Sequence, residues 1–212
     1  VYFTEPGGGN LAITEAVSGD IVTLREAADA DRSLKKNETL TVVLETGGSY
    51  TGTIFPAAGC EVISAVLGNS TVYEAKVTES SAPAKVIAAD GTVTYYDTVS
   101  LAVSGVREGG TLVILQDADL GTSQIKPSYN NVTVDLNGKT VTTANTTAAI
   151  QSSKDKTLTI TDSSENETGK VISTKAPTVY CYAANSAVNV TGGSFEAPEE
   201  ENVLYARNGT IS

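Results

Sequence analysis

Val132-Thr133-Val134-Asp135-Leu136-Asn137-Gly138-Lys139-Thr140-Val141-Thr142 is the stretch that decides the fold. Its first leg alternates apolar and polar residues, the period of a half-buried strand. Asn137-Gly138 then supplies the backbone freedom of a sharp bend. A second alternating leg follows at once. Strand, corner and strand could open a hairpin or one turn of a coil, and the downstream sequence chooses between them.

The first leg recurs. Leu158-Thr159-Ile160 and Val188-Asn189-Val190 repeat the alternation of Val132-Thr133-Val134, and Ile211 opens a fourth copy, at spacings of 26, 30 and 23 residues. The corner and second leg recur too. Asn137-Gly138-Lys139-Thr140-Val141-Thr142 lines up with Thr168-Gly169-Lys170-Val171-Ile172-Ser173 and with Thr191-Gly192-Gly193-Ser194-Phe195-Glu196. A third leg follows, with Ile150, Tyr180 and Val203 each eight residues before the next copy. Length variation falls in two polar, acidic stretches, Asp162–Glu167 and Glu196–Asn202, as loops in water should. No single copy can bury its own apolar face, but stacked copies can, each strand bonding its counterpart roughly 4.8 Å away. An antiparallel sandwich explains the alternation equally well, but not three aligned legs in fixed order. The expectation is an all-β chain whose second half is a right-handed parallel β-helix with three strands per rung, the hand following the crossover rule.

Upstream, Val99, Ala102 and Val103 fall at helical spacing, with Asp97 or Thr98 placed to cap the N-terminus. Gly109-Gly110 then turn into Thr111-Leu112-Val113-Ile114-Leu115. An open solenoid end is a bare sheet edge, and a short capping helix laid across it is the expected remedy.

This run of helix, glycine turn, "TLVILQDADL" and "NVTVDLNGKTV" resembles the beginning of β-helix repeat domains in large surface proteins of gut bacteria. It also resembles the wider pectate-lyase-like superfamily. The resemblance covers roughly Thr94 to Ser212. It implies a secreted or wall-attached bacterial protein, and a non-catalytic module that binds a host or dietary glycan or a host glycoprotein such as mucin or immunoglobulin. It also leaves open a fragment of a polysaccharide lyase or glycoside hydrolase, or a structural spacer.

The first half carries an echo of the same pattern. Ala12–Leu24 resembles the cap and first strand, and Leu40–Leu44 sits where Val132–Leu136 sits, offset by 92. Gly47-Gly48 suggests a hairpin joining Leu40–Glu45 to Tyr50–Phe55. Gly68-Asn69-Ser70 suggests another, joining Cys60–Val66 to Thr71–Thr78. Residues 1–88 are therefore expected to form a smaller β-rich domain, a degenerate duplicate of the cap region. Residues 89–212 form the capped β-helix, cut short at its C-terminus, and Ser80–Ala84 is the linker.

Composition narrows the chemistry. The 212 residues carry a net charge of −11 and contain no His, Met or Trp. An acidic surface repels phosphate backbones and anionic membranes, so neither nucleic acid nor membrane insertion is expected. Without His, the commonest general base is missing. Cys60 and Cys181 read as two buried thiols more readily than as a disulfide.

Pectate-lyase-like catalysis, as the resemblance implies it, would need stacked acidic calcium ligands beside a basic proton acceptor. The position after each first leg holds Asp135, Thr161 and Thr191. Lys139 and Lys170 stack, but the next equivalent is Gly193. No catalytic residue is assigned, no cofactor is expected, and the chain reads as a non-enzyme. Asp162, Glu165 and Glu167 share a loop and form a weak calcium candidate, for which a solvated acidic loop is the plainer account. The aromatic residues are the better signal. Tyr180, Tyr182 and Tyr205 lie on the third leg, and Tyr182 aligns with Tyr205, so these two rings should stack as a flat ligand platform.

Overall fold

The helix Gly8–Glu15 (α1) opens the part of the chain described by the computed structural model, residues 7–212. It buries Ala12 and Ile13 and ends where the Ala16 N–H donates to the Ala12 carbonyl. Three short strands follow, Ile21–Leu24 (β1), Ala27–Ala28 (β2) and Arg32–Ser33 (β3). Three more repeat the path: Thr39–Leu44 (β4), Ser49–Tyr50 (β5) and Ile54–Phe55 (β6). Each pairs in parallel with its counterpart, Val22 opposite Val42, Ala28 opposite Tyr50 and Arg32 opposite Ile54. Two turns of a three-legged coil therefore stand where only an echo was read.

The hairpin expected at Gly47-Gly48 does not form. Gly47 has φ +90°, and a Cβ on Gly48 would lie 2.1 Å from the Leu24 carbonyl oxygen. The two glycines turn a corner pressed against the rung before, which only a residue without a side chain can do. The other expected hairpin is present. Glu61–Leu67 (β7) and Ser70–Lys76 (β8) are antiparallel partners, and β8 pairs antiparallel with β4, giving the sheet order β1-β4-β8-β7. The hairpin closes one side of the stack without interrupting it.

The chain divides into two compact units after Ser81. Strand Ala84–Ile87 (β9), upstream of the boundary expected at residue 88, bonds within the second unit, antiparallel to Val93–Tyr96 (β10). Helix Val99–Gly105 (α2) follows, capped by Thr98, whose Oγ1 accepts from the Leu101 N–H at 3.1 Å. Then comes Thr111–Ile114 (β11), against which β9 also pairs antiparallel. The expected capping helix is joined by an antiparallel ribbon that covers the edge of β11.

From there the coil runs parallel. The first legs are β11, Val132–Asp135 (β13), Thr157–Thr161 (β16), Ala187–Val190 (β19) and Thr210–Ile211 (β22). Second legs are Ala118–Asp119 (β12), Thr140–Thr143 (β14), Lys170–Ser173 (β17) and Ser194–Glu196 (β20). Third legs are Ile150–Gln151 (β15), Val179–Cys181 (β18) and Leu204–Ala206 (β21). Each set forms its own sheet. Val134, Ile160 and Val190 stand in register on parallel neighbours, the first two fully buried and Val190 half-buried. Leu112, Ile114, Leu136, Ile150, Val171, Val179 and Val188 fill the coil around them. The protein is an all-β parallel β-helix.

Two alignments shift by one residue. On the second leg Val141 faces Val171, which faces Phe195, and Thr140 rather than Lys139 lies opposite Lys170. Lys170 instead pairs with Glu196 at 2.5 Å. On the third leg Ile150 faces Val179, which faces Leu204. The cause is burial. Val179 and Cys181 point inward and are buried, whereas the expected alignment would have put the Tyr180 ring in the core. The corner between Cys181 and β19 absorbs the extra residue, since Val179 to Val188 spans one residue more than Ile150 to Leu158. Cys60 and Cys181 are free and buried.

Candidate functional site

Alternation on the third leg sends every second side chain outward. Tyr180 of β18 lies opposite Tyr205 of β21. The Arg207 N–H donates to the Cys181 carbonyl at 3.0 Å, which carries the register one pair further and sets Arg207 beside Tyr182. Four outward residues, Tyr180, Tyr182, Tyr205 and Arg207, thus form a two-by-two array over neighbouring rungs.

The stacked pair is Tyr180 with Tyr205, centroids 5.0 Å apart and planes 7° from parallel. It is not Tyr182 with Tyr205, as the shifted register explains. Tyr182 leans on Tyr180 at 5.6 Å and 53°. Tyr182 and Tyr205 are 46% and 36% exposed, and Tyr180 is half-buried between them. A hydrogen bond with Tyr180, with Tyr205 and Tyr182 nearby, holds the Arg207 guanidinium above its ordinary value. Arg207 is the member of the array that sequence reasoning missed. Its signal was the outward parity it shares with Tyr205, legible only in the correct register.

The floor is polar and packed. Gln151 lies under Tyr180 and is buried. The Cys181 Sγ is within 3.4 Å of Ser152 Oγ and 3.2 Å of Ser186 Oγ. A Cβ on Gly209 would meet that sulfur at 2.5 Å. The Tyr180 side of the array is thus carried on a packed coil, whereas Tyr205 and Arg207 stand on β21, which is exposed along its length. Glu199, Glu200 and Glu201, all exposed, lie in the loop that leads into β21.

Two buried carboxylates anchor the acidic loop. Asp162 is buried, and its Oδ1 accepts from the Gly138 and Ser164 N–H groups at 2.7 and 3.1 Å, its Oδ2 from the Gly169 N–H at 2.5 Å. Glu165 and Glu167 are exposed. Asp135, also buried, accepts from Asn137 and Ser163 N–H groups, both at 2.9 Å. These carboxylates clamp a corner between rungs. Among the described residues no group of three or more His, Cys, Asp and Glu side chains is placed to hold a metal ion. In the first unit, a groove is lined by Thr14, Arg32, Lys35 and Glu38. Its charged centre is occupied internally: Arg32 donates to the Thr14 and Ala16 carbonyls at the end of α1 and to Glu38 at 2.7 Å.

No family model, no curated protein and no solved structure matches this chain. Fold and site together define a class: a parallel β-helix that presents an aromatic and cationic array on one outer face.

Proposed function

We propose that this chain is a non-catalytic module of a larger secreted or wall-attached bacterial protein, and that it binds a glycan or a host glycoprotein through the third-leg array. The observation that carries this reading is the Tyr180–Tyr205 stack with Tyr182 and Arg207 beside it, all four exposed or half-buried. Tyrosine faces suit the apolar face of a sugar ring or an extended protein loop, and their hydroxyls add hydrogen bonds at the rim. Arg207 adds a donor for ring hydroxyls. The flanking Glu199–Glu201 favours neutral or basic partners over uronates. The sequence resemblance to β-helix repeat domains of gut-bacterial surface proteins, and to the pectate-lyase-like superfamily, supports the proposed setting.

So small a patch binds at about micromolar strength. The test is a glycan array and a mucin and immunoglobulin pulldown, run on wild type, on Tyr182→Ala/Tyr205→Ala and on Arg207→Ala. The expected result is a retained ligand whose affinity falls at least about tenfold in the double variant. Binding unchanged by the double substitution, with the circular dichroism spectrum intact, would rule this surface out.

A further inference from the structure

Strand β7 is an edge without the usual protection. It is bonded on one side, to β8, and among the described residues no strand pairs with its other side. At seven residues, β7 and β8 are the longest strands among the described residues. Natural edges are blunted by proline, by charge, by bulges or by brevity. None of these is present: the β7–β8 register runs unbroken from Glu61 opposite Lys76 to Leu67 opposite Ser70, and Val62 to Leu67 holds neither charge nor proline. Both faces are in water from Ile63 onward, with Val66 73% and Leu67 82% exposed.

We propose that β7 is a self-association edge, on which a second copy of this chain pairs antiparallel, β7 against β7, with Ser64 opposite Ser64. Charge selects the occupant. The chain carries −11, so most of its surface repels a second copy, while residues 62–73 are uncharged and form an approach free of that repulsion. The register is self-complementary. About Ser64, Val62 of one copy faces Val66 of the other, and Ile63 faces Ala65. Glu61 faces Leu67, so no carboxylate opposes another. The Glu61 carboxylate is already engaged by Thr78 and Ser80 hydroxyls at 2.8 and 2.7 Å and need not be desolvated alone. One face then carries a Val–Ser–Val row of opposed side chains, of the kind that stabilises sheets. The product is a two-fold pair in which the sheet β1-β4-β8-β7 continues into its copy.

A seven-residue edge buries well under the roughly 1,600 Å² of a standard interface, so the association is weak and reversible. The experiment is sedimentation velocity on the full 212-residue chain, from about 5 to about 200 μM. Wild type should show a mass rising toward twice the monomer. Val66→Lys, which puts a cation on each side of the seam, should remain monomeric with an unchanged circular dichroism spectrum. Leu67→Lys, at the most exposed of these positions, provides the second test if Val66→Lys folds poorly. A wild type that stays monomeric throughout the range would overturn the proposal. So would a folded lysine variant that associates as strongly as wild type.

Discussion

Asp162 shows how a single residue changes meaning once its neighbours are placed. In the sequence it begins an acidic loop; in the structure it gathers N–H groups from Gly138, Ser164 and Gly169 and ties adjacent rungs together. The sequence could not reveal the tie, because the Gly138 donor arrives from the neighbouring rung and only the stacking register aims it, while Ser164 and Gly169 donate from the same rung. Removing the acceptor leaves those N–H groups short of a partner, so Asp162→Ala should cost roughly 2–3 kcal/mol in denaturant melts. Burial disfavours its charged form, but the hydrogen bonds from Gly169, Gly138 and Ser164 prevail and hold the carboxyl below the ordinary aspartate value. A lowered folded pKa contributes stability above the unfolded value, about 3.9, and loses it as pH falls through the folded value. The melting-temperature gap between wild type and Asp162→Asn should therefore narrow below about pH 4, and a gap constant down to about pH 2 would contradict the clamp. Tyr50 gives an alkaline counterpart. Burial first, then Tyr73 and Asp31, push its hydroxyl up to about 12, while its O–H donates to the Ala30 carbonyl at 3.0 Å. Its contribution is complete below an unfolded value near 10 and declines as pH rises through 12. In an ultraviolet titration, wild type should show an ionisation at about 12 that Tyr50→Phe lacks. Superimposable titrations of the two proteins in that range would contradict this placement.

At the scale of the element, alternation and corner glycines were readable, and legs and order followed from them. Gly169 illustrates why the corners were readable: a Cβ there would meet the Leu136 Cβ at 2.6 Å and Asp162 Oδ2 at 2.7 Å. Corner length was not readable. The corner before Val179 is one residue shorter than the corner before Ile150 and the corner after β18 is one longer, so β18 shifts its facing partners while β19 keeps the expected register. That shift moved the tyrosine stack from Tyr182/Tyr205 to Tyr180/Tyr205, so the site was legible in residue type and not in pairing. Gly47-Gly48 failed similarly, since a double glycine suits a hairpin and a coil corner alike and only the rung beneath separates them. Packing makes its own prediction. Ile160 is fully buried between Val134 and Val190, so Ile160→Ala should cost roughly 2–5 kcal/mol. Val203 is 40% exposed, and Val203→Ala should stay within about 0.5 kcal/mol. Equal losses at the two positions in denaturant melts would contradict the assigned core.

Across the whole molecule, one plan is used twice. A short helix, a glycine turn and parallel three-legged rungs occur in each unit, and the C-cap N–H donates to Ala12 in α1 and to Ala102 in α2. The sheet edges are treated differently: β9 and β10 cover β11, whereas the β7–β8 hairpin covers β4 and leaves its own outer strand bare. The central claim is parallel stacking in fixed register, and paired cysteines test it most directly. Thr133 faces Thr159, and Thr159 faces Asn189 on the next rung. Neighbouring parallel strands lie roughly 4.8 Å apart, within the Cα range a disulfide tolerates, whereas two rungs exceed it. Under mild oxidation, Thr133→Cys/Thr159→Cys should form an intramolecular disulfide and Thr133→Cys/Asn189→Cys should not. Cross-linking of the second pair but not the first would contradict the β-helix.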